Sequence, residues 1–206
     1  MTELLVATTN RGKFAEVQSY LKHLPLKIFA LQSLGDVPAV IEDGATYEAN
    51  ALKKAKTLAE YSGYLTLADD SGLEVDALNG APGIYSARYS GAGGNDQSNN
   101  DKLLAVLKDT SVERRGARFV CVLALYAPNS LTTREWTVRD SCEGRVAFAP
   151  KGNRGFGYDP IFFDPSLGMT FGEIDRETKA TVSHRGKALK RLVEILPSII
   201  DLGTKP

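Results

Sequence analysis

Five short clusters in this chain carry side chains suited to phosphate, metal or base chemistry. The first, Thr8-Thr9-Asn10-Arg11-Gly12-Lys13, follows the apolar run Leu4-Leu5-Val6-Ala7. A helix starting there offers unpaired N–H groups and a positive dipole end, a setting suited to phosphate. Lys13 adds a point charge, although a plain helix cap with a solvated lysine uses the same residues. It is not a Walker loop, which needs more glycine and a Ser or Thr after the lysine. The second cluster is Asp69-Asp70-Ser71-Gly72, with Glu42-Asp43 upstream. Neighbouring carboxylates are costly to bury without a cation. One can therefore hold a metal while the other supports it, and Glu42 can add an oxygen; an Asx turn explains the pair equally well. Third, Asn50 and Lys53 share a helical face that could reach phosphate or a ligating carboxylate, or simply face solvent. Fourth, Gly155-Phe156-Gly157-Tyr158-Asp159-Pro160 sets two rings among glycines, able to stack on a base while Asp159 accepts from its edge, or to form a tight turn with core aromatics. Last, Lys179 and Ser183-His184-Arg185-Gly186-Lys187 gather donors near a helix start.

These clusters need elements to hold them. Leu4 to Ala7 is predicted as a short buried strand, and Phe14, Val17, Leu21 and Leu24 repeat at helical spacing after it. Lys27 to Leu31 is a second strand candidate. Residues 45–62 are predicted helical, with Leu52, Ala55 and Ala59 on one face and Gly63 as the stop. Leu65 to Ala68 is predicted as a strand that runs into a polar turn at Asp69–Gly72. Residues 79–98 read as a long Gly-, Ser- and Asn-rich loop, 99–108 as a short helix, and 117–127 with 132–139 as a hairpin turning at Pro128-Asn129-Ser130. A further strand is expected from Cys142 to Phe148, and then a Gly-rich loop over 150–160. The last helix is expected over 184–196, capped by Ser183 and stopped by Pro197. Helices alternating with strands early, and strands dominating the middle, predict a mixed α/β fold on a partly antiparallel sheet.

Composition limits what such a fold can do. With 206 residues the chain can support its own core, as one domain or two lobes. Its longest apolar run, Phe119 to Ala127, is too short to span a membrane, and no secretory leader is visible. Two cysteines, Cys121 and Cys142, are expected to be free thiols in a reducing, cytoplasmic setting. Two histidines and no paired-cysteine motif leave zinc little to bind, so a metal would be a hard cation such as magnesium on carboxylates. The 25 basic and 25 acidic side chains cancel, which argues against nucleic acid as partner. Phosphate donors, oxygen ligands, an aromatic shelf and base-edge donors together point to a magnesium-dependent enzyme or binder acting on a nucleoside phosphate.

At this level of detail the sequence resembles the Ham1-like inosine triphosphate pyrophosphatases. The resemblance covers essentially the whole chain. It rests on Ala7–Lys13, Glu48-Ala49-Asn50-Ala51 with Lys53, Ala68–Leu73, Gly80-Ala81-Pro82-Gly83-Ile84-Tyr85-Ser86-Ala87-Arg88-Tyr89, Gly155–Pro160 and Ser183–Gly186. It implies an elongated mixed sheet flanked by helices, forming a single domain of two lobes with a central cleft, and usually a homodimer. The implied activity is magnesium-dependent hydrolysis of dITP, ITP, XTP and dXTP to monophosphate and pyrophosphate, which cleanses the nucleotide pool. The resemblance implies phosphate binding at Thr8, Thr9, Asn10, Arg11, Gly12 and Lys13. It implies magnesium binding at Glu42 and Asp70, with Asp70 as proton acceptor and Ser71 touching substrate. Phe156, Gly157, Tyr158 and Asp159 would hold the base, with Lys179, His184 and Arg185 completing the pocket. A pyrophosphatase for other modified nucleotides and a non-catalytic nucleotide sensor are the alternatives at this stage.

Overall fold

The computed structural model describes residues 2–128 and 135–203. Its strands are β1 (Thr2–Ala7), β2 (Leu26–Ala30), β3 (Leu65–Val75), β4 (Gly116–Tyr126), β5 (Glu135–Val146), β6 (Phe162–Asp164) and β7 (Met169–Thr170). Its α-helices are α1 (Arg11–Leu21), α2 (Tyr47–Ser62), α3 (Asp96–Val106), α4 (Arg176–Val182) and α5 (His184–Gly203). The hydrogen-bonded strand order is β2-β1-β3-β4-β5-β6-β7. β1 runs parallel to β2 and β3, whereas β6 is antiparallel to β5 and β7, so the expected mixed α/β class holds.

The chain falls into two compact units. The first comprises Met1–Asp70, Cys121–Asp140 and Arg185–Pro206; the second comprises Ser71–Val120 and Ser141–His184. In the first unit, Leu4, Val6, Leu67, Leu123 and Leu125 from the strands pack with Val17 and Leu21 of α1. Ala188, Leu189, Leu192 and Leu196 add the stripe of α5, spaced at the helical period. The second unit has its own core, in which Phe119, Phe162 and Phe171 pack ring against ring with Leu73, Leu103, Leu107 and Ile161. No helix among the described residues is long and apolar enough to cross a membrane.

The local signals for α2 hold: Thr46 caps it by accepting from Ala49 N–H, and Gly63 closes it at a φ of 76°. Three expectations differ. Asp69 to Gly72 form no turn but lie inside the eleven-residue β3, because cations from distant elements satisfy Asp69 and remove the need for solvent. One strand, β5, replaces the two expected over 132–139 and 142–148. The turn expected at Pro128-Asn129-Ser130 lies outside the described residues from 129 onward, as does the strand start at 132. Pro197 does not end the last helix, and Ser183 also closes α4, a helix the sequence did not reveal, directly before α5 begins at His184. A proline inside a helix costs about 3 kcal/mol. Beyond it Ile199 is buried against the first core, and a fully buried side chain of that size returns about 1.5–3 kcal/mol.

Candidate active site

In the first unit the parallel register sets Ala7 beside Ala68, so the turn into α1 and the carboxylates after Ala68 occupy the same end of adjacent strands. Ligands of parallel sheets gather at such carboxyl ends. Asn10 caps α1 by accepting from Lys13 N–H at 3.0 Å, while its own N–H donates to Thr8 Oγ1. The cap takes one of the opening amides; those of Arg11 and Gly12, at the start of the helix, have no intrahelical acceptor. Thr9 and Arg11 are exposed. Lys13 is not a solvated cation: its ammonium pairs with Asp69 Oδ1.

Asp69 is almost fully buried and tied off. Its Oδ2 accepts from Arg185 Nε at 2.7 Å and from the Cys121 thiol at 3.3 Å. Burial alone would raise its pKa, but the charges of Arg185 and Lys13 outweigh burial and hold the carboxyl well below its ordinary value. Arg185, itself buried, reaches Glu16 of α1 at 2.7 Å, so one guanidinium serves two carboxylates. The Cys121 thiol is pushed well up, first by burial and then by Asp69, and stays protonated as a donor.

Asp70 is the opposite case. It is 6% exposed, and its Oδ2 is buried with no hydrogen-bond partner. Burial, then the charge of Glu42, pushes its pKa up to about 6 against the pull of Lys13, Lys54 and Asn50. Asn50 Oδ1 accepts from Gly44 N–H at 2.7 Å, while its Nδ2 is buried without a partner. Lys54 pairs with Glu42 and donates to the Asp69 carbonyl at 3.1 Å. Lys53 is placed elsewhere: it is exposed and paired with exposed Asp43. The relevant helix spacing is Asn50 to Lys54, four residues apart, and that i, i+4 relation was the signal available in the sequence.

An orphaned carboxylate oxygen beside a second carboxylate suits a hard cation. Magnesium commonly takes one or two protein carboxylates and completes its shell with water and substrate phosphates. Asp70 and Glu42 fit that donor set. Among the described residues no group of three or more His, Cys, Asp or Glu side chains could hold a metal, so a protein-caged site is not offered.

In the second unit the aromatic turn is built around Asp159. Its Oδ2 accepts from Phe156 N–H at 2.8 Å and from Lys179 Nζ at 2.5 Å. Gly155 has a φ of 75°, and a Cβ there would lie 2.0 Å from Asp159 Oδ2, so both conformation and space require glycine. Lys179 Nζ also stands 4.5 Å from the Phe156 ring centre. Phe156 is half-buried and presents a ring; Tyr158 is a core residue whose hydroxyl donates to Ser86 O at 2.8 Å. His184 is buried, stacked on Phe119 at 4.6 Å, with Nδ1 3.8 Å from Cys142 Sγ. Ser71, half-buried, opens this unit directly after Asp70.

The structure thus brings together Lys13, Glu42, Asn50, Asp70 and Arg185 in one unit, and Phe156, Gly157, Asp159 and Lys179 in the other. Lys54 and Glu16 are the additions that no motif had singled out, and Asp69, one of the two carboxylates of the acidic cluster, proves to be a counter-ion. Neither cysteine is in a disulfide, as expected.

The chain is 51% identical over 189 residues to a dITP/XTP pyrophosphatase of Syntrophobacter fumaroxidans, covering 92% of this chain and 79% of that one. It is 47% identical over 198 residues to the dITP/XTP pyrophosphatase of Exiguobacterium sibiricum, covering 96% and 98%. Among solved structures, a HAM1 protein from Coxiella burnetii matches with a TM-score of 0.86 and 40% identity, covering 96% of this chain and all of that one. The dITP/XTP pyrophosphatase from Mycobacterium abscessus matches with a TM-score of 0.74 and 43% identity, covering 93% and 99%. With the Ham1 family pattern also matched across residues 4–195, this chain belongs to the Ham1 family.

Proposed function

We propose that this chain hydrolyses non-canonical purine nucleoside triphosphates, namely dITP, ITP, XTP and dXTP, to the monophosphate and pyrophosphate, and so clears them from the nucleotide pool. The observation that carries this reading is Asp70: a buried carboxylate with an unpartnered oxygen, next to Glu42 and a helix start that suits phosphate. Magnesium held by Asp70 and Glu42 would neutralise phosphate charge and make a bound water more acidic.

The chain's own groups do the rest. The opening amides of α1 and its dipole receive phosphate oxygens from Thr8 to Lys13, with Lys13 as the point charge. Asp70 orients a water toward the α-phosphorus and accepts its proton. Lys54 holds Glu42 in place, which gives it the role first expected of Lys53. Asp69 keeps Lys13 and Arg185 extended. The base is assigned to the second unit: Phe156 offers the stacking face, Gly157 its backbone and Tyr158 a buried support, while Asp159 fixes Lys179, and Ser71 contacts the ligand. Lys179 and His184 of that unit are the donors assigned to a 6-oxo acceptor, while Arg185 belongs to the first unit and pairs there with Asp69 and Glu16. Adenine would present a 6-amino group to the same donors and leave them unpaired, a difference able to discriminate by orders of magnitude.

The two compact units correspond in this reading to the two lobes of one domain, and the enzyme works as a homodimer in the cytoplasm. Pyrophosphate release from ITP with and without magnesium is the primary test, followed by kcat/KM for ITP, XTP, GTP and ATP. Equal values for ATP and ITP refute 6-oxo readout. No release under saturating magnesium refutes the hydrolase. A monomer mass by light scattering removes the dimer.

A further inference from the structure

The sequence of α3 is unusual for a helix that packs on a core. Its surface toward the protein includes Asn99 and Asn100, both buried, and only Leu103 is a fully buried apolar side chain within it. Buried amides must be hydrogen-bonded to be tolerated, so their partners show what the helix is for. Asn99 accepts from Ser90 N–H at 2.7 Å and donates to Ala87 O at 3.3 Å, which fixes the end of the Gly80–Tyr89 segment. Asn100 Nδ2 donates to Gly157 O at 3.0 Å. One turn earlier, Asp96 Oδ2 accepts from Gly157 N–H at 2.6 Å. Asp96 and Asn100 are four apart and therefore neighbours on one helix face. Between them they grip both backbone polar groups of a single residue.

That residue sits next to Phe156 and has a φ of 60°, with nothing within 4 Å of where a Cβ would be. Crowding therefore does not fix the turn at Gly157; hydrogen bonds do. The Asp159 side chain secures the turn on the Phe156 side, and α3 secures it on the other. Asn100 Oδ1 is left buried without a partner, which shows that the amide is oriented for Gly157 rather than for its own full satisfaction.

We propose that Asp96 and Asn100 are positioning residues for base recognition, clipping Gly157 so that the Phe156 ring is held at a fixed height for stacking. The inference rests on the assignment of the base to Phe156. Neither residue touches the reacting phosphates, so the clip acts on affinity for the base and on discrimination among bases, not on the chemical step.

The test measures kcat and KM for ITP and GTP, and the inhibition constant of inorganic tripolyphosphate, in Asp96→Ala, Asp96→Asn, Asn100→Ala and Phe156→Ala. Asp96 is exposed, so its variants remain foldable even where Asn100→Ala is not. Loss of a hydrogen bond to a charged acceptor predicts a rise in ITP KM of about tenfold in Asp96→Ala. In the same variant kcat and tripolyphosphate inhibition stay at wild-type values, the ITP/GTP ratio narrows, and Asp96→Asn, which keeps an acceptor, recovers most of the loss. A rise in ITP KM in Phe156→Ala with wild-type constants in Asp96→Ala overturns the clip alone. An unchanged ITP KM in Phe156→Ala overturns the base assignment beneath it. A fall in kcat with unchanged KM in Asp96→Ala also overturns the clip.

Discussion

The acidic strand of the first unit and the aromatic turn of the second both bury aspartates against cations, but they differ in what remains unspent. Around Asp159 the accounting closes: Phe156 N–H and Lys179 satisfy the carboxylate, and the group proposed to meet the ligand is a ring. Around β3 it does not. Asp69 is satisfied by Lys13, Arg185 and Cys121, yet the next residue keeps a buried oxygen with no partner. A region built to recognise can be electrostatically complete before the ligand arrives. A region that handles charge on phosphate must leave an acceptor open, and the fold tolerates the destabilisation locally.

The sharpest way to break this contrast is to remove the open carboxylate. Asp70→Asn should lower kcat for ITP by about a thousandfold, the upper range for losing one charge-handling group. Its urea midpoint should not fall, because the substitution relieves a buried carboxylate that burial and Glu42 already disfavour. A large stability loss would show that Asp70 belongs to the scaffold after all. Asp69→Asn should behave in reverse and lower the urea midpoint, because buried Arg185 is left with Glu16 as its remaining carboxylate partner. An unchanged midpoint would erase the distinction between the two neighbours.

The second unit offers a matched control. Asp159→Asn leaves Lys179 buried without its carboxylate and should cost about 3–5 kcal/mol. Combined with Lys179→Met, the double variant should be more stable than the sum of the singles by about 0.5–3 kcal/mol, read from the same denaturation curves. Smaller effects separate the two adjacent lysines of α2. Lys54→Ala removes a charged contact to Glu42 and should reduce kcat/KM about tenfold. Lys53→Ala breaks an exposed pair with Asp43 and should leave the urea midpoint unchanged, with kcat/KM at the wild-type value. If the two variants behave alike, the helix face has been assigned wrongly.

Much of this was visible along the chain. The helix start at Thr8–Lys13, the cap at Thr46, the stop at Gly63 and the turn at Gly155–Pro160 are local, since each depends on residues within a few positions of one another. The i, i+4 pair Asn50 and Lys54 was also legible, although the i, i+3 spacing to Lys53 fits the same helix face. What stayed hidden depended on distant partners. Asp69 and Asp70 look equivalent in sequence, and nothing near them says that Arg185, more than a hundred positions later, will neutralise one of them. The same holds for β3, which looks like a strand ending in a turn until those cations are supplied, and for α5, which passes Pro197 because Ile199 finds a core to enter.

Residue type and order by themselves determined the mixed fold class, the family pattern and the short segments able to meet phosphate and base, because caps, glycine turns and apolar periodicity act over a turn or two of chain. Only the tertiary structure decided which aspartate is a counter-ion and which is left open, and which lysine faces it. Burial and Coulomb interactions act through space, and they assign a charged group its role only when the fold has chosen its neighbours.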